Sequence, residues 1–300
     1  MTLLQAIDTR TSVRTFDGSG LDAAARGEIE GVIARAPAAP GGTAVRFVVV
    51  DPRPAEGGIK VGTYGVIRGA AAFIVPVAAT AEDGEGRSLF DVGFVGEAIV
   101  LELTRLGYGT CWLGGTLRKD EFAAAAAALE GETVRAVIAL GRPADKRSFI
   151  ESLIRGAAKS AARLPSPVLF HDASSRGPVE ASCERCSDEE IESEALRLLA
   201  AVRRAPSASN KQPFRVAVSG TGKLAAGETL KVDLFLQRED RYNALSGYAI
   251  QTLDSGIAAA HLELAAGELG LKVERRKAAD ATLAAYPEAA FVAGWNFARS

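Results

Sequence analysis

The sequence of 300 residues is poor in the residue types that build disulfide frameworks and metal centres. It contains three cysteines and two histidines. Three thiols in a chain of this length do not support a disulfide framework and fit a reducing compartment. A zinc site needs about four ligands, which two imidazoles supply poorly. We therefore predict no metal site, and we find no Ser-His-Asp constellation.

Excess charge and long apolar runs are also lacking. The net charge is −2, so any anion site must be local, and no long-range field favours nucleic acid or an anionic membrane. The longest apolar run, Ala70 to Ala79, is about ten residues, as in a buried strand, whereas a membrane span needs about twenty. Asp8, Arg10 and Arg14 interrupt any apolar region of a signal peptide. We expect a cytoplasmic protein with a well-filled core, since 48% of the residues are hydrophobic.

A polar turn stands out against this background. The segment Arg204–Arg215 follows a strongly helical run and precedes the strand-like run Val216–Val218. Its Pro, Ser, Asn and Gln residues end helices and make turns. Such a turn presents several hydrogen-bond donors and acceptors, which suits recognition of a flat heterocycle. An ordinary helix-to-strand connection is the alternative.

The frame of this turn occurs twice. The segment Arg35–Arg46 matches Arg204–Arg215 without a gap, 169 residues earlier. In this first copy the polar side chains are replaced: Ala38 stands for Ser207, Gly41 for Asn210 and Thr43 for Gln212. A second match, in the same order, relates Asp91-Val92-Gly93 to Asp254-Ser255-Gly256. Two matches in one order predict a duplicated unit of which only one copy kept its polar turn.

The N-terminal region holds a second candidate segment. A short helix, Leu3–Ile7, opens into Arg10-Thr11-Ser12-Val13-Arg14. Side chains at alternate positions of an extended segment point the same way. Two guanidinium groups and a hydroxyl so arranged would bind phosphate well, because Arg contacts phosphate oxygens bidentately. A solvated basic turn is the alternative.

Three further patterns concern individual elements. A short strand from Thr110 ends in Gly114-Gly115, which would let the backbone approach a ligand or would form a bare turn. Pro76 predicts that the strand Ala72–Ala79 lies at an edge or a bulge. Ser88-Leu89-Phe90-Asp91 resembles a helix capping box with Asp in place of Glu.

The connection Pro165–Ser187 contains a Cys-x-x-Cys pair, Cys183 and Cys186. Zinc would need further ligands, and only His171 and His261 remain as imidazoles. No strand precedes the pair, as it would in a redox βα motif. We assign the pair no function, and we interpret His261 as structural.

Taken together, four motifs resemble the FMN-dependent nitroreductase family. They are Arg10-x-Ser12-x-Arg14, the Pro206-Ser207-x-x-Asn210-x-Gln212-Pro213 turn, Gly114-Gly115 and Arg163-Leu164-Pro165. The tandem form is similar to the single-chain branch, the TM nitroreductases, and the segment Gly62–Ala70 adds to that match.

The resemblance implies an α+β, nitroreductase-like fold. Two tandem repeats would form an intramolecular pseudo-dimer with central helices and flanking antiparallel or mixed sheets. We expect half one at 1–168, a connection at 169–186 and half two at 187–300, intertwined as one globular unit.

The resemblance also implies where a cofactor binds. Members are usually homodimers with FMN at the interface, one subunit giving the Arg-x-Ser-x-Arg segment, the glycine loop and the late Arg, and the other giving the polar turn. Here one FMN site would survive, built across the two halves of a monomer. Arg10, Ser12 and Arg163 would hold the phosphate, Arg14 would approach the flavin O2 edge, and Gly114 would face N5. The implied cofactor-binding residues are Arg10, Ser12, Arg14, Leu113, Gly114, Gly115, Arg163, Pro206, Ser207, Ala208, Asn210 and Gln212.

Two positions depart from the family pattern. A second basic residue usually stands two before the late Arg, where this chain has Ala161, with Lys159 as a substitute. Phe214 replaces the usual Trp. The implied activity is hydride transfer from NAD(P)H to FMN and on to a nitroaromatic, quinone or similar acceptor, with no catalytic side chain required. The alternatives are a flavin-binding module without turnover and a degenerate, cofactor-free structural relative.

Overall fold

A computed structural model describes residues 1–52, 66–79, 86–115, 117–145, 156, 162–173, 175, 177–180, 183–239, 247–277 and 286–299. The chain divides into two compact units. The N-unit consists of Arg10–Ala161 and Asn243–Ile250. The C-unit consists of Met1–Thr9, Ala162–Tyr242 and Gln251–Ser300. Each unit is therefore assembled from segments that are separate in the sequence.

The N-unit is built on a five-stranded sheet. Its strands are β1 (Val45–Val50), β2 (Ala72–Ala79), β3 (Gly109–Leu113), β4 (Glu132–Thr133) and β5 (Val137–Gly141). They run in the order β1-β2-β5-β3, with β4 paired to β2, and all pairs are antiparallel. The helices of this unit are α2 (Ala23–Ala34), α3 (Gly86–Arg105) and α4 (Lys119–Ala125). Phe73 of the sheet packs edge-on against Phe122 of α4, with ring centroids 5.1 Å apart, within the hydrophobic core of the unit.

The C-unit carries a second five-stranded sheet. Its strands are β6 (Phe170–Asp172), β7 (Phe214–Val218), β8 (Thr229–Leu236), β9 (Leu271–Arg276) and β10 (Ala290–Arg299), in the order β6-β7-β8-β10-β9. The β6–β7 pair is parallel and the others are antiparallel. The helices are α1 (Leu3–Thr9), α5 (Ser166–Leu169), α6 (Glu194–Arg204) and α7 (Ile250–Glu268), with a 3₁₀ turn at Ala208–Asn210.

The two units share one order of elements. In each, a helix leads through a turn to two antiparallel strands, a long helix and two more strands. The sheet order β1-β2-β5-β3 of the N-unit corresponds to β7-β8-β10-β9 of the C-unit. This is the pattern expected of a duplicated unit, and it makes α3 the counterpart of α7. The predicted α+β class is confirmed.

Strand β2 is an interior strand, so of the two positions expected for Pro76, an edge or a bulge, the edge is excluded. Pro76 lies opposite Phe47 of β1. On its other side, β2 pairs with β5 through Ala72–Ile74 and with β4 through Ala78–Ala79. Pro76 falls between these two ladders, where its missing N–H leaves no hydrogen bond unmade. Among the described residues, no helix is both long and apolar enough to cross a lipid bilayer.

Candidate functional site

The arginine segment of the N-unit runs beside strand β3. Ser12 forms a parallel bridge with Thr110, and the Val13 N–H donates to the Thr110 carbonyl at 2.9 Å. The segment is then held by Arg68, whose N–H donates to the Arg14 carbonyl at 2.9 Å. Main-chain bonds thus keep the segment extended, as its alternating pattern predicted.

Arg10 of this segment is buried and only partly neutralised. Its side chain is 5% exposed, and its Nε lies 3.7 Å from Oε1 of the fully buried Glu97 on α3. Burial lowers the pKa of Arg10, Glu97 opposes that shift, and the nearby positive charge of Arg14 adds to it. Arg10 Nε and Arg14 Nη1 are both buried without a hydrogen-bond partner. Arg14 places a second guanidinium near Arg10, and two guanidinium groups with buried N–H groups lacking partners fit an anionic ligand.

Glu97 is a site residue that was not predicted, although the sequence carries a signal for it. Glu97 is an acidic residue within the otherwise apolar, buried middle of α3. A carboxylate there requires a partner, because an unpaired buried charge is costly. The indole Nε1 of Trp112 donates to Glu97 Oε2 at 2.7 Å. Trp112 also explains Gly96, since a Cβ at Gly96 would lie 2.5 Å from the Trp112 ring.

The glycine loop follows β3, after the buried Leu113. A Cβ added at Gly114 would lie 2.5 Å from Tyr248 Oη and 2.7 Å from Ile250 Cδ1, whereas Gly115 faces open space. The Nζ of Lys119 lies 4.4 Å from the centroid of the Tyr248 ring, and partial burial lowers the pKa of Lys119. Close approach of the chain therefore explains Gly114. The groups that approach are Tyr248 and Ile250, neither of which was predicted from the sequence to lie beside this loop.

The polar turn of the C-unit is conformationally strained. It begins at Pro206, beyond the end of α6, and contains the 3₁₀ turn Ala208–Asn210. Ser209, Asn210 and Gln212 have φ values of 48°, 57° and 50°. Non-glycine residues in this left-handed region cost on the order of 1–2 kcal/mol each. Strain concentrated in one turn is typical of functional sites and persists only when the surroundings hold it.

A network of hydrogen bonds holds this turn. The Gln212 N–H donates to Ser207 Oγ at 2.8 Å, and the Ala208 N–H donates to Asp254 Oδ1 at 3.0 Å. The Gln212 side chain bridges two segments, because its Nε2 donates to the Asn210 carbonyl at 3.1 Å and its Oε1 accepts the Leu164 N–H at 2.9 Å. Ser207 and Gln212 are thus internal supports of the turn.

Arg163 lies against the turn. The family resemblance implies that it binds phosphate together with the early segment. Its Nη1 donates to Asn210 Oδ1 at 3.0 Å and its Nη2 to the Arg204 carbonyl at 3.3 Å. Asn210 Nδ2 in turn donates to the Ala162 carbonyl at 2.9 Å. The late Arg and the polar turn therefore form one hydrogen-bonded cluster in the C-unit. Lys159 and Ala161, which bear on the departure from the family pattern, lie outside the described residues, as do 62–65 of the Gly62–Ala70 match.

The turn of the first copy has a different anchor. Asp91 of α3 accepts the Gly41 N–H at 2.7 Å on Oδ1 and the Thr43 N–H at 2.9 Å on Oδ2. The predicted capping box at Ser88–Asp91 was wrong, because α3 begins at Gly86 and the Asp91 carboxylate serves the turn. Its counterpart Asp254 is 2% exposed, and burial raises its pKa to about 8, against the Ala208 hydrogen bond.

The Cys-x-x-Cys pair lies inside the C-unit beside α1. Cys186 Sγ lies 3.4 Å from the Leu4 carbonyl, and Asp8 accepts the N–H groups of Cys186 at 3.2 Å and Ser187 at 3.0 Å. Burial raises the pKa of both thiols. A protonated, buried thiol is a poor nucleophile and metal ligand. His261 is fully buried, with Nδ1 2.9 Å from the Ala201 carbonyl on α6.

Comparison with known proteins agrees with the class of fold that these elements define. The chain spans the fold of a crystal structure described as a putative nitroreductase from Thermotoga maritima MSB8. The match covers 99% of this chain and 93% of the Thermotoga chain, with a TM-score of 0.53 at 19% sequence identity. A family model described as "Putative TM nitroreductase" matches residues 2–266. The chain belongs to this family, as the motifs predicted.

Shorter structures match about half of the chain. One is a nitroreductase with bound FMN from Desulfitobacterium hafniense DCB-2, at 24% identity and a TM-score of 0.40, covering 49% of this chain and 92% of that one. Another is a nitroreductase family protein from Clostridium difficile 630, at 15% identity and a TM-score of 0.43. That match covers 56% of this chain and 97% of the other. No curated protein matches the chain.

Proposed function

We propose that this protein is an FMN-dependent oxidoreductase. In this proposal it passes hydride from NAD(P)H to bound FMN and electrons on to a nitroaromatic, quinone or similar small acceptor. Family membership and the four motifs support this proposal. The Arg10–Arg14 pair is the observation that carries it.

The arginine pair fits the phosphate of a mononucleotide. Arg10 and Arg14 each bury an N–H group without a partner, and the side chain of Glu97 balances only one of the two charges. A phosphate can accept both N–H groups and complete the charge balance in one step. Ser12 lies between them in the extended segment and adds a hydroxyl donor.

The remaining roles follow the family resemblance. Arg163 would join the phosphate contacts, Arg14 would approach the O2 edge, and the main chain at Leu113–Gly115 would lie along the reactive edge. The residues of the turn, Pro206, Ser207, Ala208, Asn210 and Gln212, would line the ribityl chain and pyrimidine ring. The internal bonds of Asn210 and Gln212 make them supports that hold the strained turn in shape. The Ser207 hydroxyl accepts a bond from Gln212 and still has its own hydrogen to donate.

When bound, FMN supplies the hydride and electron transfer itself. The chain binds and orients the cofactor and keeps water from it. These roles require no side chain to act as acid, base or nucleophile.

Reconstitution tests the proposal. The purified protein is incubated with FMN, desalted, and examined for flavin absorbance and for oxidation of NADH and NADPH. Retained flavin with NAD(P)H oxidation is the expected result. Retained flavin without oxidation of NADH or NADPH, whichever acceptor is added, would indicate a binding module without turnover. A colourless protein would indicate a cofactor-free relative and would refute the proposal.

A further inference from the structure

Two matched aspartates anchor the two copies of the turn differently. Asp91 of α3 uses both oxygens, accepting the N–H groups of Gly41 and Thr43. Asp254 of α7 uses one oxygen, accepting the Ala208 N–H at 3.0 Å, and its Oδ2 is buried without a partner. The second copy therefore has a half-satisfied carboxyl directly beneath its polar turn.

Ser207 explains why Asp254 lacks a second donor. Gln212 is the counterpart of Thr43 in the second copy. The Gln212 N–H donates to Ser207 Oγ and not to the aspartate. The backbone differs accordingly. Gln212 and Asn210 are left-handed, with φ values of 50° and 57°, whereas their counterparts Thr43 and Gly41 do not have positive φ. A serine hydroxyl has taken over one contact that the aspartate makes in the first copy.

The charges near Asp254 do not compensate for the missing contact. One helical turn before Asp91 stands Arg87, whereas the matched position before Asp254 is Ile250. The cations of the polar turn bind elsewhere: Arg163 to Asn210, Lys211 to Glu239, and Arg215 to the Gln212 and Phe214 carbonyls. Within the described part of the chain, burial and the Ala208 N–H alone account for a pKa of about 8 at Asp254.

We infer that Asp254 is a positioning residue, which keeps the polar turn in its ligand-binding conformation only while the Asp254 carboxyl is neutral. The identity of the ligand rests on the proposed function, whereas the behaviour of the turn does not.

The first copy shows how many donors a carboxyl at this position can receive from its turn. A buried carboxylate needs several hydrogen-bond donors, and Asp91 obtains two from its turn. The donors that correspond to Gly41 and Thr43 are the N–H groups of Asn210 and Gln212, which donate to the carbonyl and the Oγ of Ser207. To reach an ionised Asp254, these groups must leave Ser207. Asn210 prevents a complete change to the first-copy arrangement. A Cβ at its counterpart Gly41 would lie 2.8 Å from Asp91 Oδ2 and 2.6 Å from Arg87 Cγ. Ionisation therefore distorts the turn that the neutral acid supports.

Flavin affinity as a function of pH tests the consequence for binding. FMN is titrated into the wild type, Asp254→Asn and the matched control Asp91→Asn between pH 7 and pH 9. If only the neutral form binds, the wild-type Kd rises about tenfold across this range. Asp254→Asn, which stays neutral, should bind with a Kd that changes less than about threefold over the same interval, and Asp91→Asn should follow the wild type. Equal pH dependence in the wild type and Asp254→Asn would overturn the inference.

A flavin-free measurement separates this inference from the proposed function. Carboxyl ¹³C of Asp254 and amide ¹⁵N of Gln212 are followed by NMR in selectively labelled protein. We expect both signals to change with one midpoint near pH 8, and the Gln212 change to vanish in Asp254→Asn. A Gln212 amide that stays constant while the carboxyl titrates, or a carboxyl that titrates near pH 4, would refute the inference. If no flavin binds at any pH but the two midpoints coincide, the proposed function fails and the inference stands.

Discussion

Arg163 and Asn210, which come from two separate sequence motifs, are joined by a 3.0 Å hydrogen bond from Arg163 Nη1 to Asn210 Oδ1. Arg163 also holds the Arg204 carbonyl at the end of α6. The late Arg therefore braces the strained polar turn from the side of the helix. A substitution at either residue is expected to affect the shape of the turn as well as any direct ligand contact.

Arg10→Ala should weaken FMN binding by about 1.5–3 kcal/mol, the range for hydrogen bonds to charged groups. It should also lower the free energy of unfolding, because Glu97 would be left buried without its cation. The double variant Arg10→Ala, Glu97→Gln separates the two effects, since it removes the buried charge. We expect it to regain stability in urea denaturation and to remain defective in a fluorescence titration with FMN. Unchanged FMN affinity in Arg10→Ala would remove Arg10 from the site.

Asn210→Ala should reduce flavin binding, because it removes the acceptor of Arg163 and leaves a non-glycine residue at φ 57°. Asn210→Gly relieves the backbone cost while still lacking the amide. We expect the glycine variant to be more stable than the alanine variant by about 1 kcal/mol and equally poor in binding. The matched control Gly41→Ala should lower stability through its contacts with Arg87 and Asp91, with flavin affinity unchanged. Equal losses of flavin affinity from substitutions at positions 41 and 210 would contradict the assignment of the flavin site to the turn of the second copy.

The raised pKa of Asp254 predicts how stability depends on pH. The pKa of Asp254 is about 8 in the folded protein, compared with 3.8 for an ordinary aspartate. Between pH 3.8 and pH 8, the folded state therefore holds a proton that the unfolded state has lost. The contribution of Asp254 to the free energy of unfolding must therefore fall as pH rises from about 4 to about 8, by at most about 1.4 kcal/mol per unit. Above pH 8 the fall ceases.

Asp254→Asn removes this titration. In urea unfolding at pH 5, 6.5 and 8, we expect the stability of the variant relative to the wild type to increase steadily with pH. A constant difference would show that Asp254 is ionised in the folded protein throughout this range.

The duplicated sequence predicts one flavin per chain in a monomeric protein. The first copy lacks the polar turn, with Ala38 and Gly41 in place of Ser207 and Asn210, and the second half lacks an Arg-x-Ser-x-Arg segment. A second site would therefore lose several charge-assisted hydrogen bonds of about 1.5–3 kcal/mol each. Light scattering combined with flavin absorbance measures both quantities. Two flavins per chain, or a dimer required for flavin retention, would contradict the prediction.

Much of the architecture was readable in the sequence because it depends on local patterns. Repeated frames at 35–46 and 204–215, and at Asp91 and Asp254, predicted the duplication, and the two sheets show the same strand order. The alternating Arg10, Ser12 and Arg14 predicted an extended segment, which main-chain bonds to Thr110 and Arg68 maintain. Family motifs led to the family that the whole-chain match shows.

Only the tertiary structure decided how these segments are held. Pro76 reads as an edge or bulge residue. It lies within an interior strand, at the gap between the ladders with β5 and β4, and that gap depends on where β4 and β5 end. Asp91 reads as a helix cap, yet its carboxylate accepts N–H groups from residues about fifty positions earlier. How fully a buried carboxyl is hydrogen-bonded depends on how many donors the fold brings to it. Asp91 and Asp254 are the same residue in matched positions of the repeat, and the packing around each supplies a different number of hydrogen bonds.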